Sequence, residues 1–183
     1  MTTSYLSNCV NYHKCRTIIP AALIILTAIF AGCGYRFSGG GEMPANVNRI
    51  AIDVFENRTG ESGIESIVTN DVINEFTRHP MVDVSTREEA EAILTGVITS
   101  ARVASIAHRS AYTTAERQIT IAVNVVLTTP EGAVLWSARG IAASGEYAVT
   151  DEKIRTEQNK RSAVADLSGR LAQRIFYQMT DRF

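Results

Sequence analysis

Cys33 is the side chain in this 183-residue sequence whose neighbours best prepare it for one particular reaction. It ends the stretch Phe30-Ala31-Gly32-Cys33, directly after an uncharged run from Ile18 to Phe30. Small residues before a cysteine at the end of an apolar run form the pattern of a bacterial lipobox. There the thiol is alkylated with diacylglycerol, the chain is cut before the cysteine, and the new amino group is acylated. Phe30 stands where leucine is usual. A disulfide is the competing chemistry, but Cys9 and Cys15 both lie in the segment that this cleavage removes, which leaves Cys33 without a partner. Each buried methylene of an acyl chain contributes about 0.8 kcal/mol, and stable anchoring takes more than one chain, which a triacylated cysteine supplies. Gly34, rather than the aspartate that retains lipoproteins in the inner membrane, favours the outer membrane.

A second set of residues could bind rather than react. The segment 107–117 carries Arg109 and Arg117 with Tyr112, and its single acid is Glu116. Two planar guanidinium forks suit phosphorylated ligands; a solvated hairpin tip is the plainer reading of the same residues. Arg102 and Arg139 are the further candidates for such contacts. His79 and His108 fall at a helix end and in that loop, and Asp53 and Glu56 flank a strand end, all ordinary solvated positions. No nucleophile–base pair and no cluster of ligands at metal spacing is present, so neither an enzyme nor a cofactor is expected. Asn57-Arg58-Thr59 matches a glycosylation sequon, which has no meaning on a bacterial lipoprotein.

Residues 1–32 differ in composition from the rest. They contain no acid and two cations, Lys14 and Arg16, ahead of the apolar run. That is the order of a secretory signal, with small residues at the cleavage site. A transmembrane anchor would want about 20 apolar residues, and this run is shorter and contains Pro20. The whole chain has a formal charge of −1; without residues 1–32 it keeps 16 basic and 19 acidic side chains, a charge of −3. No basic stripe marks a nucleic-acid partner. An apolar content of 45% with 20% charged residues suits one globular domain.

The expected organisation is therefore a signal at 1–32, a lipid-anchored flexible tether at 33–46 carrying Gly39-Gly40-Gly41, and a single domain at 47–183. Within the domain, Ile50 to Phe55 alternates as a strand, and Glu56 to Gly60 reads as its exit loop. Ser62-x-x-Glu65 forms a capping box before a helix with Ile64, Ile67, Val68, Val72, Ile73 and Phe76, which Pro80 stops. A short strand at 81–84 follows. Residues 92–106 are strand-like without clean two-sidedness. Residues 117–128 form the clearest strand, with Ile119, Ile121, Val123, Val125 and Leu127 on one face and Gln118, Thr120, Asn124 and Thr128 on the other. After the turn at 129–132, residues 133–141 return as a strand with the only tryptophan, Trp136. Val164, Leu167, Leu171, Ile175 and Met179 make the stripe of a final helix. The order β-α-β-β-β-β-α predicts an α+β two-layer sandwich, with a mainly antiparallel or mixed sheet of four to five strands and both helices on one face.

Three stretches carry a resemblance. The start Cys33-Gly34-Tyr35-x-Phe37, the strand ending Phe55-Glu56-Asn57-x-Thr59, and Ala90-x-Ala92 entering a strand with Gly96 together make the sequence similar to the LPS-assembly lipoprotein family, LptE. The resemblance implies a lipoprotein that plugs an outer-membrane β-barrel, LptD, and helps deliver lipopolysaccharide to the outer leaflet. It also implies lipopolysaccharide contacts through basic residues near strand loops; Arg109 and Arg117 are assigned to them here by loop chemistry. The competing expectation is an outer-membrane lipoprotein that activates a peptidoglycan synthase. Such an activator needs a long tether, whereas about a dozen residues at roughly 3.5 Å each separate Cys33 from the first strand.

Overall fold

The computed structural model describes residues 42–106 and 115–181. Its frame is a long antiparallel meander. Strand β4 (Ala92–Ile106) pairs with β5 (Glu116–Thr128), and β5 pairs with β6 (Val134–Ala148). Two short strands, β1 (Arg49–Ile52) and β3 (Asp83–Val84), add in parallel beside β4, giving the order β3-β1-β4-β5-β6. A sixth segment, β2 (Glu56–Asn57), rejoins the edge of β4 at Val97 and Ile98. The exit loop expected after Phe55 is thus partly a strand. Val54, 70% exposed, bulges outward between the two pairings, and the backbone returns when Arg58 N–H donates to the Ile98 carbonyl at 3.0 Å. The sheet is open and mixed, and both helices cover one face, as an α+β two-layer sandwich requires.

Helix α1 (Ile64–Thr77) and helix α2 (Lys153–Thr180) supply the second layer. Ile64, Val68, Val72 and Phe76 of α1 are buried with Leu167, Leu171, Ile175 and Phe176 of α2, over the fully buried row Ile119, Ile121, Val123, Val125 and Leu127 of β5. Phe76 and Phe176 meet edge to face at 5.1 Å. The strict alternation of β5 explains why this strand is legible: one face lies under the helices and the other does not. The capping box does not form. Gly63, at φ 85°, is the N-cap, a left-handed position that favours glycine, and no side chain caps the helix. Glu65 Oε2 instead accepts from Asn57 Nδ2 at 2.8 Å.

Strand β4 changes face partway along. Leu94, Gly96 and Ile98 point to the helices, then the register slips between Ile98 and Ser100, with Thr99 extra. Thr99 Oγ1 donates to the Ala122 carbonyl at 3.1 Å and holds this bulge. Beyond it, Ala101 and Val103 take the helix side and Ser100, Arg102 and Ala104 the open side. Strand β6 runs to Ala148, seven residues past the expected end at Ile141. The helix-side positions there include Gly145, where an added Cβ would lie 3.2 Å from Leu167 Cγ. The apolar bulk at that contact belongs to α2, so β6 carries little hydrophobic signal of its own. The chain enters the body at Met43 and Val47, both buried in the core, on either side of a short 3-10 turn at Pro44–Asn46.

Candidate functional site

Period two and two bulges decide where the arginines of the meander point. Arg117 shares its parity with Ile119 and leaves the sheet on the helix side, opposite Ser105 and Tyr147, as an exposed residue beyond the buried row. Arg102, past the Thr99 bulge, stands on the open face opposite Thr120, which in turn faces Ser144. The hydroxyls of Thr120 and Ser144 are 2.8 Å apart, so this row is polar across three strands. Arg139 lies in a second irregularity, where Arg139 and Gly140 together oppose Asn124. Gly140 adopts φ 68° and donates its N–H to Asn124 Oδ1 at 2.9 Å, a conformation that costs glycine little.

The four predicted arginines do not form one cluster. Arg102 and Arg117 lie toward the same end of the meander but on opposite faces, and Arg139 sits further along β6. Cys33, His108 and Arg109 lie outside the described residues. Charge balance divides the described arginines into two groups. Arg49, Arg58, Arg78, Arg87, Arg155 and Arg161 each have a carboxylate within 4 Å. Among the described residues five exposed arginines have none: Arg170 and Arg174 of α2 donate to the Asp166 and Ala142 carbonyls instead, while Arg102, Arg117 and Arg139 stand on β4, β5 and β6. Their donor forks are available to an external anion.

The other polar residues singled out in the sequence hold the body together. Asp53 Oδ2 receives Arg87 Nη1 at 2.5 Å and ties the loop after β3 to the end of β1. Glu56 accepts two hydrogen bonds from Arg58, at 2.8 and 3.0 Å, and these hold its carboxyl below the usual range. His79 stacks on Phe176 with ring centroids 3.8 Å apart, and its Nε2 is 3.3 Å from Oε1 of the buried Glu75. The sequon is a structural knot: Asn57 Nδ2 donates to the Glu61 carbonyl and to Glu65, while its Oδ1 accepts from both Thr59 N–H and Thr59 Oγ1. Glu65 is held below its usual range by its own backbone N–H first and by Asn57 second. Among the described residues no group of three or more His, Cys, Asp or Glu could hold a metal ion.

One arrangement left no mark in the sequence. Lys160 Nζ lies 2.6 Å from both carboxylate oxygens of Glu61, 99 residues away, and closes the start of α1 onto α2. Beside this pair is a cleft of about 260 Å³ lined by Glu61, Ser62, Ile64, Ile67, Lys160 and Arg161. Arg161 is paired with Glu157 at 3.8 Å, so both cations of the cleft are balanced.

No curated protein sequence matches this chain. Among solved structures, lipoprotein B from Nitrosomonas europaea, itself uncharacterized, shares the fold at a TM-score of 0.51 and 20% identity, covering 80% of this chain and 90% of that one. Rare lipoprotein B from Shewanella oneidensis aligns at a TM-score of 0.47 and 13% identity, over 72% of this chain and 93% of the other. A minor lipoprotein from Acinetobacter baumannii aligns at 0.46 and 15% identity, over 73% and 90%. Among the described residues no helix is long and apolar enough to cross a membrane. The model of the lipopolysaccharide-assembly family LptE matches residues 47–179, from the entry into β1 to the last turn of α2, and the chain belongs to that family.

Proposed function

We propose that this protein is a lipid-anchored subunit of an outer-membrane lipopolysaccharide assembly machine, seated in the lumen of a β-barrel of the LptD type. Residues 1–32 are the signal, Cys33 receives the acyl chains, and the segment from Cys33 to the buried Met43 tethers the domain to the inner leaflet of the outer membrane. Arg109 and Arg117 make charge-assisted contacts to lipopolysaccharide phosphates. The role is one of binding and positioning, without catalysis.

Family membership supports a part in lipopolysaccharide assembly. The observation that carries the ligand-binding role is the distribution of unpaired arginines. Of the arginines without a carboxylate partner among the described residues, Arg170 and Arg174 are engaged by backbone carbonyls, which leaves Arg102, Arg117 and Arg139 exposed on the meander, and Arg109 falls in the sequence between β4 and β5. Guanidinium–phosphate hydrogen bonds are charge-assisted and commonly bidentate, which suits the clustered phosphates of lipid A. The open face of the sheet, with Thr120, Asn124, Thr128 and Ser144, is polar and small, and suits a hydrated lumen better than lipid.

The test uses the full chain expressed with its signal. Mass spectrometry of the membrane fraction is expected to find an acylated N-terminus at Cys33, and affinity purification is expected to recover a β-barrel. Arg109→Ala/Arg117→Ala is expected to weaken lipopolysaccharide binding, most at low salt where exposed charges are least screened, with barrel recovery and thermal stability unchanged. Unchanged affinity in the folded double variant would remove these arginines from the site. An intact Met1 on the membrane-bound form would overturn the anchoring.

A further inference from the structure

Strand β6 forms one edge of the sheet along its 15 residues. Its hydrogen-bonding direction can be read from one contact. Val149 N–H donates to the Ala115 carbonyl at 2.7 Å across the pair Glu116–Ala148, which makes that pair a non-hydrogen-bonded one. Residue 148, and every second residue before it back to 142, therefore turns both its N–H and its C=O away from β5. An uncovered row of this kind is a ready template for another strand.

Helix α2 occupies the two ends of the row. Asn159 Nδ2 donates to the Ala148 carbonyl at 2.9 Å, and Arg174 Nη1 donates to the Ala142 carbonyl. Between them α2 lies close over β6 at Gly145, where an added Cβ would come within 3.0 Å of Arg170 Nη2. Ser144 and Glu146, both exposed, keep both of their outward groups, whereas Ala142 and Ala148 keep only their N–H groups. Two free residues between two occupied carbonyls are too short a run for a stable strand pairing.

We infer that Asn159 and Arg174 act as guards that keep the β6 edge from pairing with the β6 edge of a second copy of this chain. The second copy is the partner these residues exclude because an antiparallel pairing of β6 with itself, centred on Gly145, places Ser144 of one copy opposite Glu146 of the other. No like charges are then opposed, and the small residues Ala142, Ala143 and Ser144 let the backbones approach. With both guards removed, four outward residues, 142, 144, 146 and 148, become continuous. Alanine at both helix positions preserves helix propensity, so α2 persists while its side-chain donors are lost.

The experiment compares the full chain in detergent as wild type, as Asn159→Ala/Arg174→Ala, and as that variant with Glu146→Pro. Proline at 146 deletes an outward N–H and no ladder bond, so it blocks edge pairing alone. Sedimentation velocity is expected to show one copy for the wild type, a concentration-dependent shift to two copies for the double variant, and a return to one copy with proline. A folded double variant that stays single at every concentration overturns the inference, as does association that survives Glu146→Pro. If the double variant fails to fold, amide exchange in the wild type decides: the 144 and 146 amides are expected to exchange faster than those of 143 and 145. Equal protection would mean the edge is already paired, and the guard role would fall.

Discussion

Gly96→Ala is the substitution whose cost follows most directly from the packing of this domain. A Cβ built on Gly96 would lie 2.2 Å from Phe55 Cε2, 2.4 Å from Cδ2 and 2.5 Å from Cζ, all well inside contact distance. The ring cannot swing away. Phe55 is 1% exposed, its N–H donates to Thr69 Oγ1 at 3.0 Å, and the backbone on either side is bonded to β4 at Leu94 and Ile98. Overpacking of a closed core costs about 1–3 kcal/mol, and one kcal/mol shifts the melting temperature of a domain this size by about 2–4 °C. Gly96→Ala is therefore expected to lower Tm by roughly 2–12 °C in a far-UV circular dichroism melt. Because the ring is what the added methyl would strike, Phe55→Leu should absorb most of the penalty: Gly96→Ala should cost less in that background than in wild type. If the two substitutions add independently, or if Gly96→Ala alone melts within a degree of wild type, the Phe55–Gly96 contact does not set the packing of β4.

Two further outcomes are expected. Ser168, in the middle of α2, is fully buried and its hydroxyl has no hydrogen-bond partner among the described residues; an unsatisfied buried polar group costs about 1–3 kcal/mol, so Ser168→Ala should raise the denaturation midpoint, and a clear loss of stability would show that the hydroxyl is satisfied. Glu91 is held below the usual carboxylate range, chiefly by the Asn48 N–H at 2.8 Å, as Glu65 is by its own N–H. A depressed folded pKa stabilises the fold above the unfolded value of about 4.3 and loses that contribution as pH falls through the folded value; urea midpoints measured against pH should drop on the acid side of pH 4, and Glu91→Gln should flatten that limb, an unchanged slope counting against the assignment.

The Phe55–Gly96 contact also shows what could be read from the residues and what could not. Phe55-Glu56-Asn57-x-Thr59 and the glycine of β4 stand apart in the sequence as two separate marks, and neither announces that one packs on the other. A glycine's meaning lies in what fills the space it leaves, and that is a tertiary fact. Strand β5 was legible because one of its faces is wholly buried. The face change in β4 was hidden because a bulge breaks the period on which the reading depends. The far half of β6 escaped because its Ala, Ser and Gly residues accept bulk from α2. The same limits apply to the arginines. The side on which Arg117 leaves the sheet follows from its parity with Ile119, whereas Arg102 reaches the open face only by way of Thr99. That Arg102, Arg117 and Arg139 lack carboxylate partners among the described residues depends on where those acids fall in space.

The Thr99 bulge makes the length of β4 matter unevenly to insertions and deletions. Loss of Thr99 itself would bring Ser100 directly after Ile98 in a continuous ladder, with Ser100 still opposite Ala122 and Arg102 still on the open face. Loss of a single residue between 100 and 105 can draw on the same slack only by flattening the bulge, which turns every residue from Thr99 to the gap to the opposite face. Related chains that differ by one residue in this strand should therefore vary at the Thr99 position, and the rest of β4 should keep its count.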